Sequence, residues 1–280
     1  FSSIETMTIK NRPEFEKFIS RVAKSSDEFR ASSTEKRHSK QYRTARENLN
    51  YLIDEDTFLE FGQFAVAAQR SRRDYEELQD KTNADGIITG FCSINSALVG
   101  EDDAKAVAIV YDYSVLAGTQ GFFHHAKLDR ICEQAKKFYL PVIIFTEGGG
   151  GRPGDTDVLT QIAGLHIPSF SSWAQLTGIC LKIAVNNGYC FAGNAVLFGC
   201  ADFKIATKDS WIGMAGPAMI EGGGLGTFKP KEIGPIEVQQ KNGVVDYVAE
   251  NEEEATIIAK QLLAYFQGPI EEFTFSDQGQ

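Results

Sequence analysis

The sequence predicts an α/β fold of stacked strand–helix units behind a charged helical extension. Three observations carry that prediction. From Gly86 onward, short β-branched runs alternate with a stretch of helical apolar period. Glycines gather where those runs stop, and residues 1–55 are charged with few apolar positions. Strand, helix, strand at this spacing makes a βαβ unit, and stacked units bury a sheet between helices.

Residues 1–55 are the extension. From Pro13 to Leu52 the apolar positions are sparse (Phe15, Phe18, Ile19, Val22), which predicts helix packed on a body or reaching a partner. The compact part spans residues 56–268 and opens at Asp56–Phe61, after which Arg70–Ala84 reads as exposed loop with some helix. Gly86–Phe91 and Ala106–Tyr111 are strands bounded by turn residues. Over Phe122–Phe138, the residues Leu128, Ile131, Cys132, Ala135 and Phe138 share one helical face. Pro141–Phe145 is a buried strand ending at a glycine run. The unit then repeats, with helix over Ile167–Leu176, strand over Gly178–Val185, a turn over Asn186–Gly193 and a short helix over Asn194–Cys200. Phe203–Ala206 is a strand, followed by Trp211–Met214, and Glu252–Phe266 is a closing helix. Residues 269–280 are polar and acidic, a linker or tail, and with Phe1 as first residue they point to a piece of a longer polypeptide.

Lys plus Arg number 28 against 38 Asp plus Glu, a net charge of −10. That balance lacks the dense basic face a nucleic-acid or anionic-membrane partner requires, while leaving room for an anionic small ligand. The cysteines, Cys92, Cys132, Cys180, Cys190 and Cys200, form no C-x-x-C pair, which predicts reduced thiols in a cytoplasmic protein and no zinc ribbon. No apolar run approaches the roughly 20 residues that span a bilayer.

The chemistry-bearing motif is Thr146–Asp155, with the run Gly148, Gly149, Gly150, Gly151 followed by Arg152 at a strand end. Glycines expose successive N–H groups, so such a loop holds a developing oxyanion, a phosphate or a carboxylate, or is a plain turn. It is neither a Walker A sequence nor a clean G-x-G-x-x-G. A second strand end, Gly188–Ala195, places the small residues Ala192 and Gly193 before a helix, where a ligand could approach its N-terminus. A third, Ser114–Gly121, carries Gly118 and Gly121, and a fourth, Gly213–Pro217, carries Gly216. Strand ends are where α/β sheets put ligands.

Side-chain candidates are poorer. His38, His124, His125 and His166 have no nucleophile partner in the sequence and read as structural or surface residues. Asp155 and Asp157, two carboxylates without a third ligand, read as helix capping and not as a metal site. Chemistry by backbone amides, with the acid or base supplied elsewhere, fits best.

In order and spacing these residues resemble the N-terminal half of the carboxyltransferase component of biotin-dependent acyl-CoA carboxylases, of the acetyl- or propionyl-CoA carboxylase type. The resemblance runs from Arg43–Glu47 and Phe58–Phe61 through Asp85–Gly90 and Asp112–Val115 to Gly149-Gly150-Gly151-Arg152. It continues through Gly188-x-Cys190-x-Ala192-Gly193, Gly216-Pro217 and Asn242–Asp246. The family's Gly-Gly-Ala-Arg has Gly at 151 here, and the second loop reads Ala192-Gly193-Asn194. The sequence around Gly154-Asp155 and the run Glu221–Gly226 look closer to large fused carboxylases. The resemblance implies a crotonase-like (ClpP/crotonase) fold of stacked ββα units, with residues 56–268 as the carboxyltransferase N-domain. It implies transfer of carboxylate from carboxybiotin, held on a carrier, to the α-carbon of an acyl-CoA whose enolate is stabilised by amides. Gly149, Gly150, Gly193 and the Asn194 amide take that role; Gly118, Gly121, Gly148, Gly151, Ala192 and Gly216 then line the CoA and biotin site. Arg152 orients the loop, meets a CoA phosphate, or closes the loop as a salt bridge. Arg70, Arg72 and Arg73 are candidates for the CoA 3′-phosphate or a solvated charge run. Expected partners are the biotin carboxyl carrier and biotin carboxylase domains, a homologous C-terminal half completing the site, and further copies in a homo-oligomer. Two other readings are a free-standing crotonase-type enoyl-CoA hydratase or isomerase, and a non-catalytic assembly module docking a biotin carboxylase.

Overall fold

The computed structural model describes residues 12–158 and 167–268. His166 and the expected tail, 269–280, therefore lie outside the described residues.

The sheet has seven strands: β1 Leu59–Phe61, β2 Ile87–Ser93, β3 Lys105–Tyr111, β4 Val142–Phe145, β5 Lys182–Phe191, β6 Phe203–Gly213 and β7 Tyr247–Ala249. Their spatial order is their sequence order, so each crossover steps to the next strand in one direction. β1, β2 and β3 pair antiparallel, and from β3 to β7 every pairing is parallel. Parallel strands need crossovers, and α6 (Phe122–Phe138), α7 (Ser169–Ala174), α8 (Gly193–Gly199) and α10 (Ile236–Lys241) lie within them.

Both faces of the sheet are covered, which is why its central strands read as continuous apolar runs. Alternate residues Val107, Ile109, Val142, Ile144 and Ala184 pack with Leu128, Ile131 and Ala135 of α6 and with Trp173 and Phe198. The other set, Ala108, Val110, Ile143, Phe145 and Val185, packs against α3 (Ala45–Leu52) and α11 (Glu252–Ala264). The side-chain period of two along a strand produces this division.

The N-terminal segment forms α1 (Pro13–Ala23), α2 (Ala31–His38) and α3. α3 is not detached from the body, because Leu49 and Leu52 are buried in the second core. Its start is set by a capping box in which Thr44 and Glu47 exchange side-chain and backbone bonds. α4 (Tyr75–Lys81), α5 (Ser96–Val99) and α9 (Pro217–Gly222) are short connecting helices.

Two sequence expectations need correction. Asn186–Gly193 is not a turn: β5 runs on to Phe191 through a register irregularity between Asn186 and Gly188. Asn186 Nδ2 donates to the Gly188 carbonyl (3.0 Å) and to Ser210 Oγ (3.2 Å), so an Asn-Asn-Gly stretch that reads as a turn is instead a bulge pinned by its own side chain. Likewise β6 continues through the polar stretch Lys208–Ser210, because that half pairs with Gly188–Phe191.

Candidate active site

The C-terminal ends of β3, β4 and β5 bring three loops into contact. Beyond the main sheet a small second layer forms, with parallel bridges between Gly148 and Cys190 and between Gln120 and Gly151. Gly148 donates to the Tyr189 carbonyl (2.7 Å), and Phe191 donates back to the Gly148 carbonyl (3.0 Å). A Cβ at Gly150 would lie 2.7 Å from the Ala192 Cβ, so the first and second glycine loops abut.

Asn194 ties the loops together with its side chain. Its Oδ1 accepts from the Gly150 N–H (3.0 Å), and its Nδ2 donates to the carbonyls of Thr146 (3.1 Å) and Gly118 (3.5 Å). The residue is fully buried. Gly148 has to be glycine, since a Cβ there would meet Asn194 Nδ2 at 2.2 Å.

These bonds decide which amides remain for a ligand. The sequence assigns Gly149 and Gly150 as donors, but Gly149 N–H is bonded to the Ala117 carbonyl (3.0 Å) and Gly150 N–H to Asn194. An amide spent internally does not serve an oxyanion as well. Gly151 N–H makes no bond among the described residues, and a Cβ there would meet nothing within 4 Å. On the second loop, Gly193 and Asn194 open α8, whose first N–H groups have no intrahelical acceptor. Ala192 precedes them at φ 51° and ψ −119°, a conformation that glycine adopts easily and alanine only under strain, and its N–H is bonded to the Gly213 carbonyl (3.0 Å).

Arg152 lies beneath the first loop. Its guanidinium pairs with Asp85 and Asp155 and donates to the Thr119 carbonyl (2.7 Å) and Thr119 Oγ1 (3.2 Å), with only 4% of the side chain exposed. Of the three readings of Arg152, the geometry matches loop closure. Burial pushes the Asp85 carboxyl up and Arg152 pulls it back. Gly121 is required at this junction, because a Cβ would lie 2.2 Å from Arg152 Nη1. A second pair supports the loop from the other side: Arg37 of α2 donates two bonds to Glu147 (3.0 and 2.8 Å). Burial pushes the Glu147 carboxyl up to about 7 against the pull of Arg37.

A cleft of about 660 Å³ borders this region, lined in part by Gln120, Gly121, Gly151, Arg152, His125 and Asp155, with Phe122, Ile167 and Met219 as apolar walls. Gly118, Gly148, Ala192, Gly193, Asn194 and Gly216 are not on its wall. Gly118, Gly148 and Asn194 hold the loops, and Gly216 lies before α9, where a Cβ would make ordinary contact with Phe191 at 3.6 Å. Asp155 accepts from the Phe122 N–H (2.8 Å) and Gln69 Nε2 (3.0 Å), and Asp157 from the N–H groups of Arg70 and Ser71. Arg70 stacks over Tyr75 and Arg73 pairs with Glu77.

Sequence reasoning missed the Arg37–Glu147 pair and the Asn194 side-chain tie. Arg37 and Glu147 are 110 positions apart, and no local pattern links them. Asn194 did carry a signal, as a lone amide side chain among small residues (Ala192, Gly193 and Ala195).

A sheet whose parallel strand ends deliver abutting loops with unspent amides defines an α/β protein with backbone donors grouped at one edge of its strands. More particularly, the chain belongs to the carboxyl transferase domain family, whose model matches residues 36–278. It is 31% identical over 245 residues to the methylmalonyl-CoA carboxyltransferase 12S subunit of Propionibacterium freudenreichii subsp. shermanii, covering 86% of this chain and 44% of the relative. Over 233 residues it is 26% identical to the propionyl-CoA carboxylase beta chain of Cereibacter sphaeroides, covering 82% and 43%. A solved single-chain, multi-domain long-chain acyl-CoA carboxylase is 49% identical with a TM-score of 0.90, over 96% of this chain and 26% of that one. The crystal structure of the transcarboxylase 12S hexamer with methylmalonyl-CoA bound superposes with a TM-score of 0.73 at 27% identity, over 92% and 48%. The fold is therefore that of the crotonase-like carboxyltransferase domains. The chain spans less than half the length of these curated relatives.

Proposed function

We propose that the chain forms the enolate-stabilising half of an acyl-CoA carboxyltransferase. The observation that carries this is the pair of abutting strand-end loops, with Gly151 N–H on one and the first amides of α8 on the other left unspent. A thioester oxygen seated there accepts these hydrogen bonds more strongly as it becomes an enolate, and one such donor is worth about 2.7–4 kcal/mol in the transition state. The donors in this reading are Gly151, Gly193 and Asn194; Gly149 and Gly150 shape the loop.

Carboxybiotin on a carrier supplies the carboxylate when it is bound. The open space at Gly151 leaves room for a planar group beside the thioester. This chain's own residues orient the acyl group, exclude water and hold the enolate oxygen. For the acyl group we favour a long aliphatic chain. The cleft's apolar walls and the long-chain substrate of the 49% identical relative support that choice over acetyl or propionyl. A homologous C-terminal half would complete the site across a subunit interface, with biotin carboxylase and carrier domains as partners in a homo-oligomer. Free thiols at all five cysteines agree with a cytoplasmic location.

Enoyl-CoA hydration is not favoured, since the family match and the similar proteins are carboxyltransferases and carboxylases. The test is twofold: equilibrium binding of decanoyl-CoA, and malonyl-CoA decarboxylation with biocytin. Weak binding and slow turnover, raised by adding the second half, are expected. Hydration of crotonyl-CoA with no biocytin-dependent turnover would overturn the proposal.

A further inference from the structure

The cleft beside Gly151 contains a side-chain cluster that amide chemistry does not use. His125, on the first turn of α6, lines the cleft. Its Nδ1 lies 2.8 Å from Ser169 Oγ, and Ser169 Oγ donates to Asp129 Oδ1 (2.5 Å). The single hydroxyl proton of Ser169 is thus committed to the carboxylate. Ser169 Oγ can then only accept from the imidazole, so the Nδ1 position carries the proton. In a neutral ring this leaves the lone pair on Nε2, which has no partner among the described residues.

The order of the three groups rules out a serine nucleophile. Ser169 is fully buried and lies between the acid and the imidazole, so His125 cannot take its proton. The protonation state decides what His125 itself does. Burial, with the positive charge of Arg152 nearby, pushes its pKa down to about 4. Asp155 opposes that shift. Phe170 stands edge-on to the ring from α7, and His124 lies alongside. An imidazole held that low stays neutral at physiological pH and is a poor proton base, yet its lone pair remains a good hydrogen-bond acceptor.

We propose that His125 is a substrate-contacting hydrogen-bond acceptor that takes an amide-type N–H of the ligand in this cleft, with Ser169 and Asp129 fixing its tautomer. This deepens the carboxyltransferase reading and rests on it. Two ligand parts carry such a donor, the pantetheine amides of a CoA thioester and the ureido ring of biotin, and the experiment separates them.

The unaltered protein, His125→Gln, His125→Leu and Ser169→Ala are compared by calorimetric titration with decanoyl-CoA and by the KM for biocytin in malonyl-CoA decarboxylation. His125→Leu is expected to weaken one of the two about tenfold. Glutamine, whose amide oxygen can stand where Nε2 does, is expected to restore it to within about threefold. A loss in decanoyl-CoA affinity identifies the pantetheine amide, and a raised biocytin KM identifies the ureido group. Nitrogen chemical shifts of the unaltered protein are expected to show Nε2 unprotonated, with the proton moving to Nε2 in Ser169→Ala. A protonated Nε2, or His125→Leu matching the unaltered protein with both probes, overturns the assignment alone. Failure of the unaltered protein, with the second half added, to engage either probe overturns the carboxyltransferase reading and the assignment with it.

Discussion

The two loops that meet at the site reach the same result by different means. The loop after β4 is held by charged side chains from below: Arg152 with Asp85 and Asp155 on one side, Arg37 with Glu147 on the other. The loop after β5 has no ion pair among the described contacts at Ala192–Asn194. It is held by strand continuation, by the strained backbone at Ala192 and by the Asn194 side chain. A run of glycines has no intrinsic preference for one shape, so external clamps must supply it. A turn entered directly from a strand and followed by a helix inherits its shape from both.

On that contrast, removing a clamp costs most. Arg152→Ala leaves Asp85 buried without its counter-charge and is expected to destabilise the fold by about 3–5 kcal/mol, read by denaturant unfolding. A loss under 1 kcal/mol would mean that the glycine loop holds itself.

The second clamp gives a pH signature. The Glu147 carboxyl moves from 4.5 to about 7 on folding. A pKa raised in the folded state means that its contribution is full below 4.5 and is lost as pH rises through about 7. The unaltered protein should therefore lose up to about 3 kcal/mol relative to Glu147→Gln across that window. Parallel stability curves for the two proteins would show that Arg37 offsets the burial of Glu147 in full.

Asn194→Ala leaves the Gly150 N–H and Thr146 carbonyl without their partner, costing about 1–3 kcal/mol. Turnover should fall further than this stability loss accounts for, because both loops shift. The smallest effect has the opposite sign. Ala192→Gly relieves backbone strain and, after glycine's added chain entropy, should raise stability by about 1 kcal/mol, seen as a higher Tm. A lower Tm would show that the alanine methyl contributes packing there.

Much of the fold was legible because it rests on local period. α6 spans Phe122–Phe138 and buries Leu128, Ile131, Cys132 and Ala135 as its period predicts, while Phe138 at its end is exposed; β2, β3 and β4 match their β-branched runs. What failed was the reading of Asn186–Gly193, where turn-forming residues lie inside a strand; side-chain bonding to β6 outweighed local preference. The positions of the glycine loops at strand ends were also legible, since glycine density is a sequence property. The identity of the free amides was not. Whether Gly150 or Gly151 keeps an unbonded N–H depends on Asn194, 44 positions away from Gly150, and composition carries no trace of that bond. The histidines show the same limit: His124 is buried against Tyr111, as a structural reading expects, while its neighbour lines the cleft.

The Arg37–Glu147 pair also sets where the protein can be cut. The family match begins at residue 36, a single position before Arg37. A version trimmed to start at α3 would keep the sheet, both cores and every glycine of the site, yet it would leave Glu147 facing Glu252 with no cation between them. Such a fragment should fold around a displaced loop, with lowered stability as well as impaired catalysis. For anyone excising this unit or fusing it to another, that pair puts the expected functional border upstream of α3, within the charged helices that its composition would mark as dispensable.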